Sequence, residues 1–430
     1  MAQPITIARV SSNFERELLL RPFGFKGGYM SEIWQTAVML ESDSGLRGIG
    51  LGSQGVLWSD AGVFAAHAES GGNALMYAVT EFAVQLVRGR SFTDPIELLE
   101  SIRGEVYTYA RSVTQHAALR ETFVLNALVA VDNAAWLLYA AEHGITEFDA
   151  LIPPAYRAAL AHRHEQIASI PLMAYGVPVE EITAAVAAGY FFLKIKLGQP
   201  GTQAKMLELD KARLSAIHAA IGGARTPYSA TGRLPYYFDA NGRYESKDTL
   251  LRLLDHAKVI GAFDQIALIE EPFPEELETD ISDLPVRIAA DESAHTDKDA
   301  LARMQMGYRA MALKPIAKTL SMTLKIARLA HERGVPCFCA DLTVNPILVE
   351  WNKAVAARLA PFPGLGLGLV ETNGHQNYRD WERLRSYLPL PAAVWTRATK
   401  GVFQLDADYY GRSGGLFLPS AHYEAMFPPH

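Results

Sequence analysis

Cysteine is almost missing from this chain: Cys337 and Cys339 are the only two among 430 residues. Two positions apart on a strand, they share one face, too local for a useful disulfide or a complete zinc site. They read as small core residues in a reduced compartment, so a cytoplasmic protein is expected. Basic residues are not in excess either. Forty Lys+Arg against 47 Asp+Glu leave a formal net charge of −7 with no long basic cluster, which argues against a nucleic-acid partner. No uninterrupted apolar run is long enough for a membrane span. The most apolar stretch, 123–141, contains Asn126, Asp132 and Asn133 and reads as a buried helix. Residues 1–13 lack a basic segment followed by an apolar one, so neither a signal peptide nor a membrane partner is expected. The run Gly364-Leu-Gly-Leu-Gly368 precedes a strand rather than a helix, which argues against a nucleotide-binding loop. Internal repeats and low-complexity linkers are also absent.

What is present is 49% hydrophobic and 20% charged, the balance of a globular protein with a large core, and 430 residues suit two domains. Residues 4–13, 35–41 and 46–51 read as strands, with Ser42-Asp43-Ser44-Gly45 as a turn. Helices follow at about 73–88, 95–113 and 118–142, started by Asp94-Pro95 and stopped by Gly144. Residues 1–150 therefore form an α+β unit.

After Pro153-Pro154, short apolar runs alternate with amphipathic helical ones. Strands are expected at 170–174, 191–196, 236–239, 266–270, 287–291, 309–314, 336–340 and 367–371. Between them lie helical segments at 205–220, 246–260, 297–306, 319–333 and 346–359. Such alternation implies parallel strands, and eight of them suit a TIM-type barrel over residues 151–375. Residues 221–235 read as an inserted surface loop, and 376–430 as a tail packing back on the body.

Several barrel strands end on an ionisable residue: Lys194 and Lys196, then Asp239, Glu270, Asp291 and Lys314. In a TIM barrel the C-terminal strand ends converge, so these side chains meet. Asp239, Glu270 and Asp291 would repel one another without a cation between them, and an incomplete shell of hard oxygen donors points to Mg²⁺. Lys194 and Lys196 share a strand face, where like charges lower each other's pKa toward the range of a general base. Lys314 arrives from the opposite side. Two lysines facing one carbon can remove a proton from one side and return it to the other.

Phe192-Leu-Lys-Ile-Lys196, Phe238-Asp-Ala-Asn241, Ile269-Glu-Glu-Pro272, Ala290-Asp-Glu-Ser293 and Leu313-Lys-Pro315 resemble the strand-end motifs of the enolase superfamily. The Lys-x-Lys with a sixth-strand lysine resembles its muconate-lactonizing subgroup; the mandelate-racemase type would have a histidine where this chain has Asp341. Asn126–Trp136 is similar to the last helix of that family's capping domain. The resemblance implies an α/β fold, a modified (βα)7β TIM barrel behind an α+β N-terminal capping domain. It further implies that Asp239, Glu270 and Asp291 bind Mg²⁺, which stabilises the enediolate left when the α-proton of a carboxylate departs. Such proton removal, with a Lys or His base, is the general enolase-superfamily scheme. Lys196 and Lys314 would be the acid–base pair, with Lys194 assisting.

Around these, Asn241, Glu292, Asp341 and Glu371 are candidates for lining or supporting the site. Glu371-Thr-Asn373 departs from the Asp-x-Asp of the family's dipeptide epimerases. Phe23-Gly-Phe-Lys-Gly-Gly-Tyr29 and Gly50–Gly55 read as glycine-rich mobile cap loops, with Phe23, Lys26 and Tyr29 meeting the substrate. The reaction expected is racemisation or epimerisation of a small-molecule carboxylate by a homo-oligomer. A lyase of the same site (dehydratase or cycloisomerase) and a non-catalytic binding or structural barrel are the alternatives.

Overall fold

The computed structural model describes residues 3–25 and 28–428. Its N-terminal part is an antiparallel sheet of β1 (Ile5–Phe25), β2 (Gly28–Ser42), β3 (Arg47–Ser53) and the short β4 (Ser91–Phe92), in the order β3-β2-β1-β4. Helices Ala61–Val87, Pro95–Thr114 and Glu121–Glu142 cover it. Glu121–Glu142 is long and apolar enough to cross a membrane, yet 89% of its most apolar window is buried inside the protein. Its polar residues act as pegs. Asn126 donates to Ser53 O and accepts from Gly55 N, and Asn133 donates to Leu51 O.

Much of both expected cap loops is built into strands. Residues 23–25 and 28–30 pair as strands, Phe23 opposite Met30 and Gly24 opposite Tyr29. Gly50 lies inside β3, where its missing side chain lets the strand touch the helix: a Cβ there would stand 2.2 Å from both Ala130 O and Ala134 N. Main chain cannot yield as a side chain can, so Gly50→Ala should destabilise the protein by about 3 kcal/mol through overpacking. Urea unfolding of wild type and variant checks this, with an unchanged midpoint as the contrary result.

The barrel consists of β5 (Gln166–Ile170), β6 (Leu172–Met173), β7 (Leu193–Lys196), β8 (Tyr236–Asp239), β9 (Ile266–Glu270), β10 (Ile288–Ala290), β11 (Ala310–Leu313), β12 (Cys337–Cys339) and β13 (Gly368–Glu371). All pair in parallel, from β6 through β13 to β5. Only Pro171 separates β5 from β6, so the two are one stave and the ring closes with eight. The first stave begins four residues before the expected 170, and Pro171, which lacks the N–H that would continue the ladder, interrupts it after Ile170. The 221–235 insertion precedes β8, at the end of the barrel away from the strand C-termini, and is tied by Ala230 N to Gly364 O. The C-terminal residues add β14 (Val402–Gln404) antiparallel to β5. Further links run from Tyr410 to His164 O and from Phe148 N to Ser413.

One buried carboxylate joins the sheet-covering helices to the barrel. Asp132 accepts from the Ser321 hydroxyl (2.5 Å) and the Ser321 N–H (3.1 Å), and Trp136 donates to the same hydroxyl. Burial pushes Asp132 up to about 7 against these hydrogen bonds. The unfolded carboxyl titrates near ~3.9. The folded chain therefore holds the proton longer: this contribution to stability is full below about pH 4 and is lost as pH rises through about 7. Asp132→Asn should flatten that part of the melting temperature's pH dependence; a parallel curve would contradict it.

Candidate active site

Register places the ionisable strand ends side by side. Lys196 is opposite Asp239 and Asp239 opposite Glu270. Asp291 follows β10 and Lys314 follows β11 directly. All six side chains, Lys194 included, are buried. β7 and β11 are the second and sixth of eight staves, hence on opposite sides of the ring, and Lys196 and Lys314 line one cavity of about 50 Å³. Phe23, Met30 and Trp58 contribute to its walls.

Ion pairs fill this end of the barrel. The Lys196 ammonium donates to Asp239 Oδ2 and Asn241 Oδ1, both at 2.5 Å. Lys194 lies 3.0 Å from Asp239, 2.9 Å from Glu270 and 3.2 Å from Glu371. Lys314 donates to Asp291 Oδ2 at 2.5 Å. The expectation that Lys194 is drawn down by its lysine neighbour does not hold. Burial opposes its charge, but Asp239, Glu270 and Glu371 outweigh burial and hold Lys194 well above its ordinary value. Burial likewise opposes the charges of Asp239 and Asp291. Lys194 and Lys196 nevertheless hold Asp239 at about 2, and Lys314 and Lys318 hold Asp291 far below the usual carboxylate range. Glu270 differs: burial, together with repulsion from Asp239 and Asp291, prevails over Lys194 and raises it well above the ordinary value.

Negative charge around Glu270 is therefore under-compensated, which is the environment a cation relieves. Oxygens of Glu270, Asp291 and Glu292 lie within 4.8 Å of one another, close enough to share a metal ion. Asp239 stands outside that group, with its Oδ2 between two lysines. The donor set is all oxygen and fits a hard divalent cation.

The remaining candidates separate. Asn241 bridges Lys196 to Glu292 by donating to Glu292 Oε1 at 2.8 Å; its φ of 45° is a conformation that asparagine tolerates. Asp341 accepts from the N–H groups of Leu342 and Asn373, and burial beside Glu371 pushes it up to about 7. Glu371 accepts from Lys194 and from Asp341 N, so it belongs to the charge network. Phe23 reaches the cavity wall, whereas Tyr29 is 71% exposed and does not line it. Lys26 lies outside the described residues.

Three further residues emerge from the structure. Tyr237 donates to Glu270; it stands two before Asp239, the same parity that pairs Lys194 with Lys196. Lys318, one helical turn after Lys314, donates to Asp291 O at 2.6 Å and sits 3.4 Å from its Oδ1. Spacing of four could have revealed it. Trp58 places its ring centroid 4.2 Å from the Lys314 ammonium and 5.8 Å from that of Lys318, a contact that no local pattern announces.

Residues 178–369 match the family described as enolase C-terminal domain-like. The fold is shared with solved structures of low identity. A mandelate racemase/muconate lactonizing protein from Herpetosiphon aurantiacus is 18% identical, with a TM-score of 0.64 over 96% of this chain and 98% of that one. A dipeptide epimerase from Enterococcus faecalis V583, complexed with Mg and the dipeptide L-Leu-L-Tyr, is 19% identical, with a TM-score of 0.58 over 85% and 90%. The L-Ala-D/L-Glu epimerase from Bacillus subtilis is also 19% identical, with a TM-score of 0.61 over 85% and 89%. Comparison with curated protein sequences finds none that matches.

Proposed function

We propose that this chain, whose residues 178–369 match the enolase C-terminal domain-like family, is a Mg²⁺-dependent enzyme that removes the α-proton of a carboxylate and returns one on the other face, a racemase or epimerase. The observation that carries this reading is the placement of Lys196 and Lys314 on opposite sides of one small cavity beside three buried carboxylates. The structural neighbours solved with Mg and with epimerase substrates support it.

Asp239, Glu270 and Asp291 would hold the metal, with Glu292 beside them. When bound, Mg²⁺ would supply positive charge for the substrate carboxylate and for the negative charge that builds there as the proton leaves. Lys196, in its neutral form, takes the α-proton: the C–H bond breaks, its electron pair stays on the substrate, and a new N–H bond forms. Lys314, as an ammonium, delivers a proton to the opposite face, and the roles exchange in the reverse direction. Asn241 and Asp239 aim the Lys196 ammonium. Lys194 balances Glu270 and Glu371 and keeps that end of the barrel from becoming a well of negative charge. Trp58 and Phe23 keep bulk water off the reacting carbon, which strengthens each of these interactions.

A second reading rests on the surroundings of Lys314. Burial opposes the charge of Lys314, yet Asp291 holds its pKa above the ordinary value, and the Trp58 ring faces it. A lysine kept charged suits donation to a β-leaving group, the chemistry of a dehydratase or other lyase. A screen of acid sugars, amino-acid derivatives and dipeptides with Mg²⁺ in D₂O decides between them. Racemisation predicts α-deuterium at unchanged connectivity, elimination a new double bond, and no reaction with any carboxylate would sink both.

A further inference from the structure

A cavity of about 380 Å³ lies away from the catalytic one and shares no wall with it. Three parts of the chain meet around it: β3 with the end of Glu121–Glu142, the barrel helix Pro346–Ala356, and the C-terminal residues 388–389 and 414–424. Asn345 caps that barrel helix by accepting from Leu348 N, and Pro346 takes its first position. Ile347, Glu350 and Trp351 then fall three and four apart on one face, and that face lines the cavity. Most of the remaining wall is apolar, with Ile49, Leu51, Leu137 and Phe417. The size is that of a small-molecule site, and so is the make-up, an apolar hollow with few polar groups.

Glu350 is the polar group that gives this cavity a direction. It is only 3% exposed. Its Oε1 pairs with Lys353 at 2.6 Å, and Lys353, fully buried, also donates to Trp395 O. Its Oε2 is buried and has no hydrogen-bond partner among the described residues. Gly414, on the cavity wall, leaves room beside that oxygen: a Cβ there would stand 2.6 Å from it. Of the other charged groups on the wall, Arg47 donates to Glu41 and to Phe427 O, and Glu424 is exposed to water. An acceptor left unsatisfied in the interior is destabilising, and a ligand that donates to it removes the penalty. Lys353 already balances the carboxylate. A cation would therefore arrive as an excess buried charge, and an anion would be repelled. A neutral donor meets neither obstacle.

We propose that this cavity is a second ligand site, for an uncharged molecule with a fused-ring apolar body and a hydroxyl that donates to Glu350 Oε2. An apolar cavity of about 150 Å³ holds a single benzene ring, so the larger volume here has room for a fused pair. The apolar body gains by leaving water against the aliphatic and aromatic walls. The site is independent of the reaction proposed for the catalytic cavity.

Isothermal titration calorimetry at pH 8 tests it with four naphthalenes: 2-(1-naphthyl)ethanol, its methyl ether, 2-(1-naphthyl)ethylamine and 1-naphthylacetate. At that pH the Glu350 carboxyl, raised to about 7 by burial against the pull of Lys353, is ionised and can only accept. The alcohol should bind about tenfold tighter than the ether, the amine or the acetate, the ratio that one hydrogen bond to a charged group supplies. Ala141→Trp, at an exposed position on the wall, should weaken all four by filling the space. Glu350→Gln should bring alcohol and ether level, because an amide donates as well as accepts. An alcohol that does not bind, an alcohol no tighter than the other three, or affinities that Ala141→Trp leaves unchanged would overturn the proposal.

Discussion

Lys196→Ala and Lys314→Ala should each lower racemisation by about a thousandfold or more, the range expected when a positioned acid–base group is lost. They should differ in what survives. Each substrate enantiomer turns its α-proton toward one lysine. Lys196→Ala should lose α-deuterium exchange of the enantiomer that faces Lys196 and keep exchange of the other, and Lys314→Ala should do the reverse. Both variants should stay folded, because each carboxylate that loses a lysine keeps another. Asp239 retains Lys194 at 3.0 Å, and Asp291 retains Lys318 at 3.4 Å from its Oδ1. Following the α-proton resonance of each pure enantiomer in D₂O checks the prediction. Loss of exchange from the same enantiomer in both variants would show that the lysines do not face the carbon from opposite sides.

Glu270→Gln should have an effect of similar size through the metal. The substitution removes a carboxylate whose charge is disfavoured by burial and by Asp239 and Asp291. Turnover should fall about a thousandfold, several kcal/mol of charge stabilisation. Stability should move the other way. Burial beside Asp239 and Asp291 disfavours the Glu270 charge, so without metal the neutral variant should melt no lower than wild type. Added Mg²⁺ should then raise the melting temperature of wild type alone, since only a ligand bound by the folded state stabilises it. A variant stabilised by Mg²⁺ as strongly as wild type would remove Glu270 from the metal site.

The barrel was legible because several staves are short apolar runs that end on an ionisable residue, and burial of that residue needs a reason. Phe238-Asp239, Ile269-Glu270 and Leu313-Lys314 carry that signal within two positions. The hairpin was not legible. Residues 14–22 mix Glu15, Arg16 and Glu17 with three leucines, which looks like neither a core strand nor a helix face. What makes them a strand is pairing with β2 and the Arg16–Glu32 ion pair, contacts between positions far apart in the sequence. Glycines at 24, 28, 50 and 52 suggested mobility, but at Gly50 the bare backbone serves close packing on Glu121–Glu142. Lys318 is marked in the sequence only by its spacing of four from Lys314, and the turn after β11 brings it onto Asp291. Trp58 belongs to no periodic pattern, and its place over Lys314 depends on how the cap meets the barrel.

The central claim is that this barrel removes an α-proton with two opposed lysines and a divalent cation. The most direct measurement is ¹H NMR of a racemic α-substituted carboxylate with the wild-type protein in D₂O, first with Mg²⁺ and then after chelation. The claim predicts that the α-proton signal of both enantiomers disappears with Mg²⁺, persists after chelation, and disappears again when Mg²⁺ is restored. Exchange that continues undiminished without a divalent cation, or a turned-over substrate whose α-proton stays in place, would contradict it.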